Sequence, residues 1–241
     1  MRSILLAGGR GTRLKPYTTV LPKPLVPLGD MAVMEVLLRQ LARAGCDRAT
    51  VTVGHLSQLI MAYFGDGSRW GVPIDYSAEE TPLGTVGPLT LIDDLPEHFL
   101  VINGDLLTDL DLAALYQHHL DSGALATIGT YERRLRIDFG LIAHEGPNHR
   151  ITRFTEKPEE RFSVSMGVYV FSRKILDLIP KGRPFGFDEL MIRCVAEALD
   201  VRAYPFDGYW LDIGRPEDYD RASRDFDELR ERLLGPEGQV P

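Results

Sequence analysis

The feature of this sequence that most constrains its fold is an alternation, over residues 1–102, of short apolar runs with segments of helical period. Met1–Ala7 has the character of a buried strand. After a glycine-rich stretch, Met34, Leu37, Leu38 and Leu41 recur at helical spacing within Met31–Ala44, and Gly45 closes the run. Ala49–Val53 then predicts a strand, Leu56–Phe64 a helix, Val72–Tyr76 a strand, a further helix opening after Gly84, and His98–Ile102 a strand. Strands that alternate with helices build βαβ units, whose strands lie parallel and whose ligands sit outside the strands' carboxyl ends. Past a helix at Asp111–Leu120, strand-like segments crowd together at Ala124–Thr130, Gly140–Ala143, Ile151–Thr155 and Val164–Phe171. Helices return at Phe187–Leu199 and Pro216–Leu234, with a strand at Val201–Phe206 between them. The expectation is an α/β fold with a mixed, mostly parallel central sheet flanked by helices. No repeat, low-complexity tract or linker interrupts the chain, so one domain is expected over 1–241, with 235–241 as a loose tail.

Charge indicates where a ligand belongs. A formal net charge of −8 argues against a protein that coats nucleic acid or an anionic membrane. Yet the first 29 residues carry Arg2, Arg10, Arg13, Lys15 and Lys23 without one Asp or Glu, a segment suited to focusing a small polyanion into a site. The apolar run Ile4–Ala7 is too short for a secretory signal or a membrane span, which predicts a cytoplasmic protein. In that compartment Cys46 and Cys194 are expected as reduced, buried thiols.

The most specific motif is Leu6-Ala7-Gly8-Gly9-Arg10-Gly11-Thr12-Arg13-Leu14-Lys15-Pro16, continued by Pro22-Lys23-Pro24-Leu25. Gly8, Gly9 and Gly11 let the loop turn tightly and bring backbone N–H groups against phosphate oxygens, while Arg13 and Lys23 add full positive charge. No Gly-Lys-Ser/Thr follows, so this is not a Walker A loop, and the glycine spacing is not that of dinucleotide folds. Later come Pro82-Leu83-Gly84-Thr85, Asn103-Gly104-Asp105, Phe139-Gly140, Glu156-Lys157-Pro158 and Tyr209-Trp210-Leu211-Asp212-Ile213-Gly214. Asp105 ends a hydrophobic strand, and Asp212 lies in a second strand-like block. Two carboxylates with phosphate oxygens and waters suit Mg²⁺, which takes few protein ligands.

In these blocks and their order the chain resembles the sugar-1-phosphate nucleotidylyltransferases, over nearly its whole length. The motifs are closest to those of mannose-1-phosphate and manno-heptose-1-phosphate guanylyltransferases. The resemblance implies a Rossmann-like nucleotidyltransferase fold, Mg²⁺ dependence with Asp105 and Asp212 at the metal, and an NTP and a sugar 1-phosphate as substrates. It implies that Leu6, Ala7, Gly8, Gly9, Gly11, Thr12, Pro82, Gly84 and Asn103 surround the nucleotide. Arg13 would bind the triphosphate and Lys23 the α-phosphate and the incoming sugar phosphate. On the sugar side it implies Gly140, Glu156, Lys157, Ser165 and Asp212. Ser165 stands where many relatives have asparagine, and Val86 where alanine is frequent. With few residues after the Asp212 block, the expectation is a catalytic domain without the C-terminal β-helix of longer relatives; a homodimer is also entertained.

The base can be argued from Glu79-Glu80 before Pro82. Guanine presents adjacent N1–H and N2–H₂ donors, which suit a carboxylate, whereas uracil and thymine suit a glutamine amide. Glutamate therefore favours GTP, with Glu79 or Glu80 facing the base. The alternatives are a dTTP, UTP or CTP enzyme acting on glucose 1-phosphate, and a non-catalytic subunit that senses an NDP-sugar. Three other features carry less: His118 and His119 diverge on a helix and are read as surface, Arg133, Arg134 and Arg136 as a solvated charge run, and Trp210 as a core or site-shaping aromatic.

Overall fold

The computed structural model describes residues 1–235, so the tail expected at 235–241 lies, but for Gly235, outside the described residues. The strands are β1 (Arg2–Leu6), β2 (Pro27–Leu28), β3 (Met31–Ala32), β4 (Arg48–Val53), β5 (Ile74–Ala78), β6 (His98–Asn103), β7 (Leu106–Thr108), β8 (Ala126–Arg136), β9 (Leu141–Glu145), β10 (Arg150–Thr155), β11 (Glu159–Ser172), β12 (Val201–Phe206) and β13 (Trp210–Asp212). The helices are α1 (Val33–Arg43), α2 (Ser57–Phe64), α3 (Leu112–Ser122), α4 (Phe187–Ala196) and α5 (Pro216–Leu234).

Seven strands join in the order β12-β8-β11-β6-β1-β4-β5. The pairs β6/β1, β1/β4, β4/β5 and β12/β8 are parallel, and β11 is antiparallel to both of its neighbours. The expected mixed, mostly parallel sheet is therefore what forms. Strand β1 has the next sheet strand in sequence, β4, on one side and β6 on the other, so the crossovers diverge there. A crevice opens outside the carboxyl ends of strands at such a switch point.

Period-2 alternation in the strands feeds both faces. Leu5, Val51, Leu100, Ile102 and Val168 bury against Leu37 and Leu41 of α1, Phe64 of α2 and Leu115 of α3. Ile4, Phe99, Val101 and Phe171 bury on the other face with Leu190 and Cys194 of α4. Each such side chain contributes about 1.5–3 kcal/mol by leaving water. Helix α5 lays Ala222, Phe226 and Leu233 against Val33 and Val36 of α1 and against Leu28 and Leu211. Cys46 and Cys194 are buried and unpaired, and no described helix is long and apolar enough to cross a membrane.

Several local expectations are corrected. The helix expected after Gly84 is a single 3-10 turn, Gly87–Leu91, with a proline in its first turn. Helix α1 starts at Val33 because Met31 and Ala32 pair with Leu28 and Pro27. Arg133, Arg134 and Arg136 are exposed as expected, and they lie on a long β8/β11 strand pair, with Arg133 over the Trp210 ring at 5.2 Å and Arg134 3.0 Å from Glu132. His119 is buried, its Nδ1 2.9 Å from Thr127 Oγ1 and its Nε2 3.0 Å from His98 Nδ1. Only its neighbour His118 keeps the surface position expected of both. Arg2 lies at the amino end of β1, held by Thr50, Asp75 and Asp94, so it is neutralised at the sheet end opposite the glycine loop.

Candidate active site

A cleft of about 440 Å³ opens at the switch point. Its floor is made by strand ends: Leu6 closes β1, Thr52 lies one residue before the end of β4, Glu79 follows β5, and Asn103 closes β6. The backbone ladder continues past these ends, with Ala7 N–H donating to Thr52 O, Glu79 N–H to Val53 O and Gly104 N–H to Leu6 O, at 2.9–3.0 Å. Positions just beyond the strands are thus held nearly as firmly as the strands themselves. Gly8, Gly9, Gly11, Thr12 and Arg13 form one wall, and Pro82, Gly84 and Thr85 face them. Thr18, itself buried, donates its hydroxyl to Gly11 O at 2.7 Å and pins the glycine loop from behind.

The first of two adjacent acids is the one inside. Glu79 lines the cleft and accepts the Leu83 N–H at 2.7 Å, which ties down the Pro82–Gly84 segment, while Glu80 is exposed outside it. Burial pushes the Glu79 carboxyl above its ordinary range, against the pull of the Leu83 hydrogen bond. A Cβ on Gly8 would stand 2.2 Å from Glu79 Oε1, so glycine there is what lets the carboxylate lie across the loop. Ala7 lies buried beneath the cleft and does not line it.

Charged groups converge at the other end. Lys23 opens a 3-10 turn, Lys23–Leu25, between Pro22 and Pro24, and forms a short salt bridge with Asp105. Asp212 is brought alongside by an antiparallel ladder in which Asp212 of β13 pairs with Leu106 of β7 and Ile213 N–H donates to Asp105 O at 3.1 Å. Lys23 Nζ is 4.0 Å from Asp212 Oδ1. Burial and then the neighbouring Asp105 raise the Asp212 carboxyl, with Lys23 and Arg13 pulling it back. Asp105 Oδ1 and Asn103 Oδ1 are buried and have no hydrogen-bond partner. Among the described residues no cluster of three or more His, Cys, Asp or Glu is placed to hold a metal. The donor set here is two carboxylates, an amide oxygen and open space, which fits a hard cation that keeps most of its waters.

The residues expected on the sugar side fall into two groups. Ser165 sits at a register shift of β11, 3.3 Å from the Tyr169 hydroxyl. Two residues on, Gly167 takes φ +77°, and a Cβ there would fall 2.5 Å from Asn103 Nδ2, so the shift packs directly against the cleft floor. Trp210 holds this segment by donating its indole N–H to Met166 O at 2.9 Å. Gly140, Glu156 and Lys157 instead lie on a projecting arm made of the β9/β10 hairpin and the distal parts of β8 and β11. None of these three lines the cleft. They are together, since Gly140 packs on Phe154 and Glu156. Sequence reasoning missed Thr52 and Pro88, which also line the cleft. Thr52, a polar residue within the apolar run of β4, was the available signal.

The chain matches the model of the Nucleotidyl transferase family over residues 2–228 and belongs to that family. It is 36% identical to a UTP–glucose-1-phosphate uridylyltransferase of Synechocystis sp., over 93% of this chain and 63% of that protein. To a mannose-1-phosphate guanyltransferase of Yarrowia lipolytica it is 33% identical, over 91% of this chain and 62% of that one. The chain thus spans a little under two thirds of the length of these curated relatives. Among solved structures it is similar to HddC from Yersinia pseudotuberculosis, with TM-score 0.72 and 26% identity over 93% of this chain and 99% of that one. The same protein complexed with GMP-PN gives TM-score 0.70 and 25% identity over the same shares.

Proposed function

We propose that this chain transfers a nucleoside monophosphate from an NTP to a sugar 1-phosphate, releasing pyrophosphate and forming an NDP-sugar. The observation that carries this reading is the convergence of Arg13, Lys23, Asp105 and Asp212 beside a glycine-rich loop at the switch point of the sheet. Family membership supports it. A sugar-phosphate oxygen attacks the α-phosphorus in line, the bond from that phosphorus to the bridging oxygen breaks, and pyrophosphate leaves with the electron pair. The attacking phosphate is already an anion, so no general base is needed. Every reacting group is negative, and positioning with charge neutralisation supplies most of the rate.

In this reading the N–H groups of the Gly8–Thr12 loop and the Arg13 guanidinium hold the triphosphate and stabilise the leaving pyrophosphate. Lys23 serves the α-phosphate and the incoming sugar phosphate. Asp105 and Asp212 would hold Mg²⁺, which when bound neutralises phosphate charge; the unpartnered Asp105 Oδ1 and the adjacent Asp212 suit that role. Glu156 and Lys157 on the arm serve the sugar and its phosphate.

GTP is the favoured nucleotide and a manno-configured sugar 1-phosphate the favoured acceptor. Glu79 is the carboxylate inside the cleft, and while one of its oxygens accepts Leu83 N–H, the other remains for a guanine donor. The similarity to guanyltransferases supports this, and the similarity to a uridylyltransferase makes the pyrimidine nucleotides the necessary comparison. The test is pyrophosphate release with Mg²⁺ across GTP, UTP, dTTP, CTP and ATP, each against mannose, manno-heptose and glucose 1-phosphates. Turnover confined to GTP, with the preference weakened in Glu79→Gln, is expected. Turnover with UTP or dTTP and glucose 1-phosphate would keep the reaction class and overturn the base assignment.

A further inference from the structure

Lys23 stands between the two carboxylates proposed above to hold a divalent cation. Its ammonium is salt-bridged to Asp105 Oδ2 and 4.0 Å from Asp212 Oδ1, and the three side chains are 12%, 23% and 41% exposed. Asp105 Oδ1 is buried without a partner even so. The Lys23 backbone is fixed, since it lies between Pro22 and Pro24 and its carbonyl accepts the Val26 N–H at 3.1 Å. Its four-carbon stem is the part that can move, and a compact ammonium on such a stem transfers readily between anionic partners.

In the position it holds here Lys23 serves the two carboxylates, whereas the role proposed above would turn it to the phosphates across the same cleft. We propose that Lys23 is an internal counter-ion: it neutralises Asp105 and Asp212 while no divalent cation is present, competes with that cation for them, and is released towards the phosphate side of the cleft as the cation binds. This inference rests on the reading that Asp105 and Asp212 hold the metal. Its consequence is that the protein binds a divalent cation weakly on its own, because the competent state, with Lys23 swung away, is a minor one, and apparent affinity falls by that fraction. An NTP that gives Lys23 phosphate oxygens to turn to raises the fraction, and by reciprocity the cation strengthens the hold on the NTP.

The test is the affinity for Mn²⁺ alone, with no nucleotide, measured by calorimetry and by the Mn²⁺-induced rise in thermal midpoint. It compares the wild type with Lys23→Gln, Lys23→Arg, Asp105→Asn and Asp212→Asn. Lys23→Gln is expected to bind Mn²⁺ about tenfold more tightly than the wild type. Lys23→Arg keeps the competing charge and is expected to stay as weak as the wild type. Equal or weaker binding by Lys23→Gln, with the two carboxylate variants still losing affinity, overturns the competition and leaves the metal site standing. Mn²⁺ affinity that survives both carboxylate substitutions overturns the metal site, and the competition with it.

Discussion

The cleft and the arm hold the two halves of the proposed site in opposite ways. In the cleft, Leu6, Thr52, Asn103 and Asp105 continue strands whose interior side chains are buried on both faces, and hydrogen bonds of the parallel ladder run on into the loops. On the arm, β9 pairs with β10, both strands are exposed, and Phe139 and Phe154 stand 79% and 62% open. A two-stranded hairpin without a covered apolar face is marginally stable by itself. Under the proposed function the contrast would give the two regions different tasks. Displacement at phosphorus needs groups held to within about half an ångström, which a packed sheet supplies. A sugar ring held by hydroxyl contacts would place a looser demand on its support.

The largest effect that tests this contrast is catalytic. Asp105→Asn keeps the shape and removes the charge, and is expected to lower kcat by about a thousandfold in a chain that still folds. Glu156→Gln, on the arm, is expected to cost about tenfold, as a higher KM for the sugar phosphate at near-normal kcat. Steady-state pyrophosphate release with each substrate varied separates the two. Losses of the same size in the same parameter would break the division between chemistry and sugar binding.

Next in size is stability. Ile102, fully buried in β6 immediately before Asn103, should cost 2–5 kcal/mol on truncation to alanine, at roughly the value for a core cavity, and activity should fall with it. Phe154→Ala removes a larger side chain from the arm and should change stability by no more than about 0.5 kcal/mol. Urea denaturation followed by fluorescence measures both. A cost at Phe154 comparable to that at Ile102 would show that the arm's apolar face is covered in solution.

The same division governs what could be read in advance. The cleft is largely local: the glycine loop, Pro82–Gly84 and Asn103–Asp105 each follow a strand, so strand order alone gathers them. Glu79 could not be separated from Glu80 because their parity is set by the register of β5 on β4, where Ala78 pairs with Val53. The juxtaposition of Asp212 with Asp105 depends on the β7/β13 ladder, a pairing of short segments far apart in sequence with no periodic signature. Arg2 was counted with the phosphate-facing cations because charge along a segment does not say which end of a strand a residue occupies. His119 was legible and misread: Leu112, Leu115 and His119 follow at intervals of three and four, on the buried stripe of α3.

That buried histidine has an exposed counterpart, which gives the smallest and most selective test. His119 contacts His98 and Thr127 under the sheet, and burial, then the charges of His98 and His118, lower its pKa to about 4. His144 and His149 meet at 3.4 Å on the exposed tip of the arm. An unfolded chain protonates His119 near its ordinary value of about 6.5, so between pH 6.5 and 4 the unfolded state binds the extra proton. Stability from this group is complete above that window and is lost as pH falls through it, by on the order of 3 kcal/mol. Unfolding free energies measured from pH 7 to 4 should therefore decline in the wild type and in His149→Gln alike. In His119→Gln the part of the slope due to this residue should disappear. A slope that follows His149 instead would place the acid-sensitive packing on the arm and reverse the comparison.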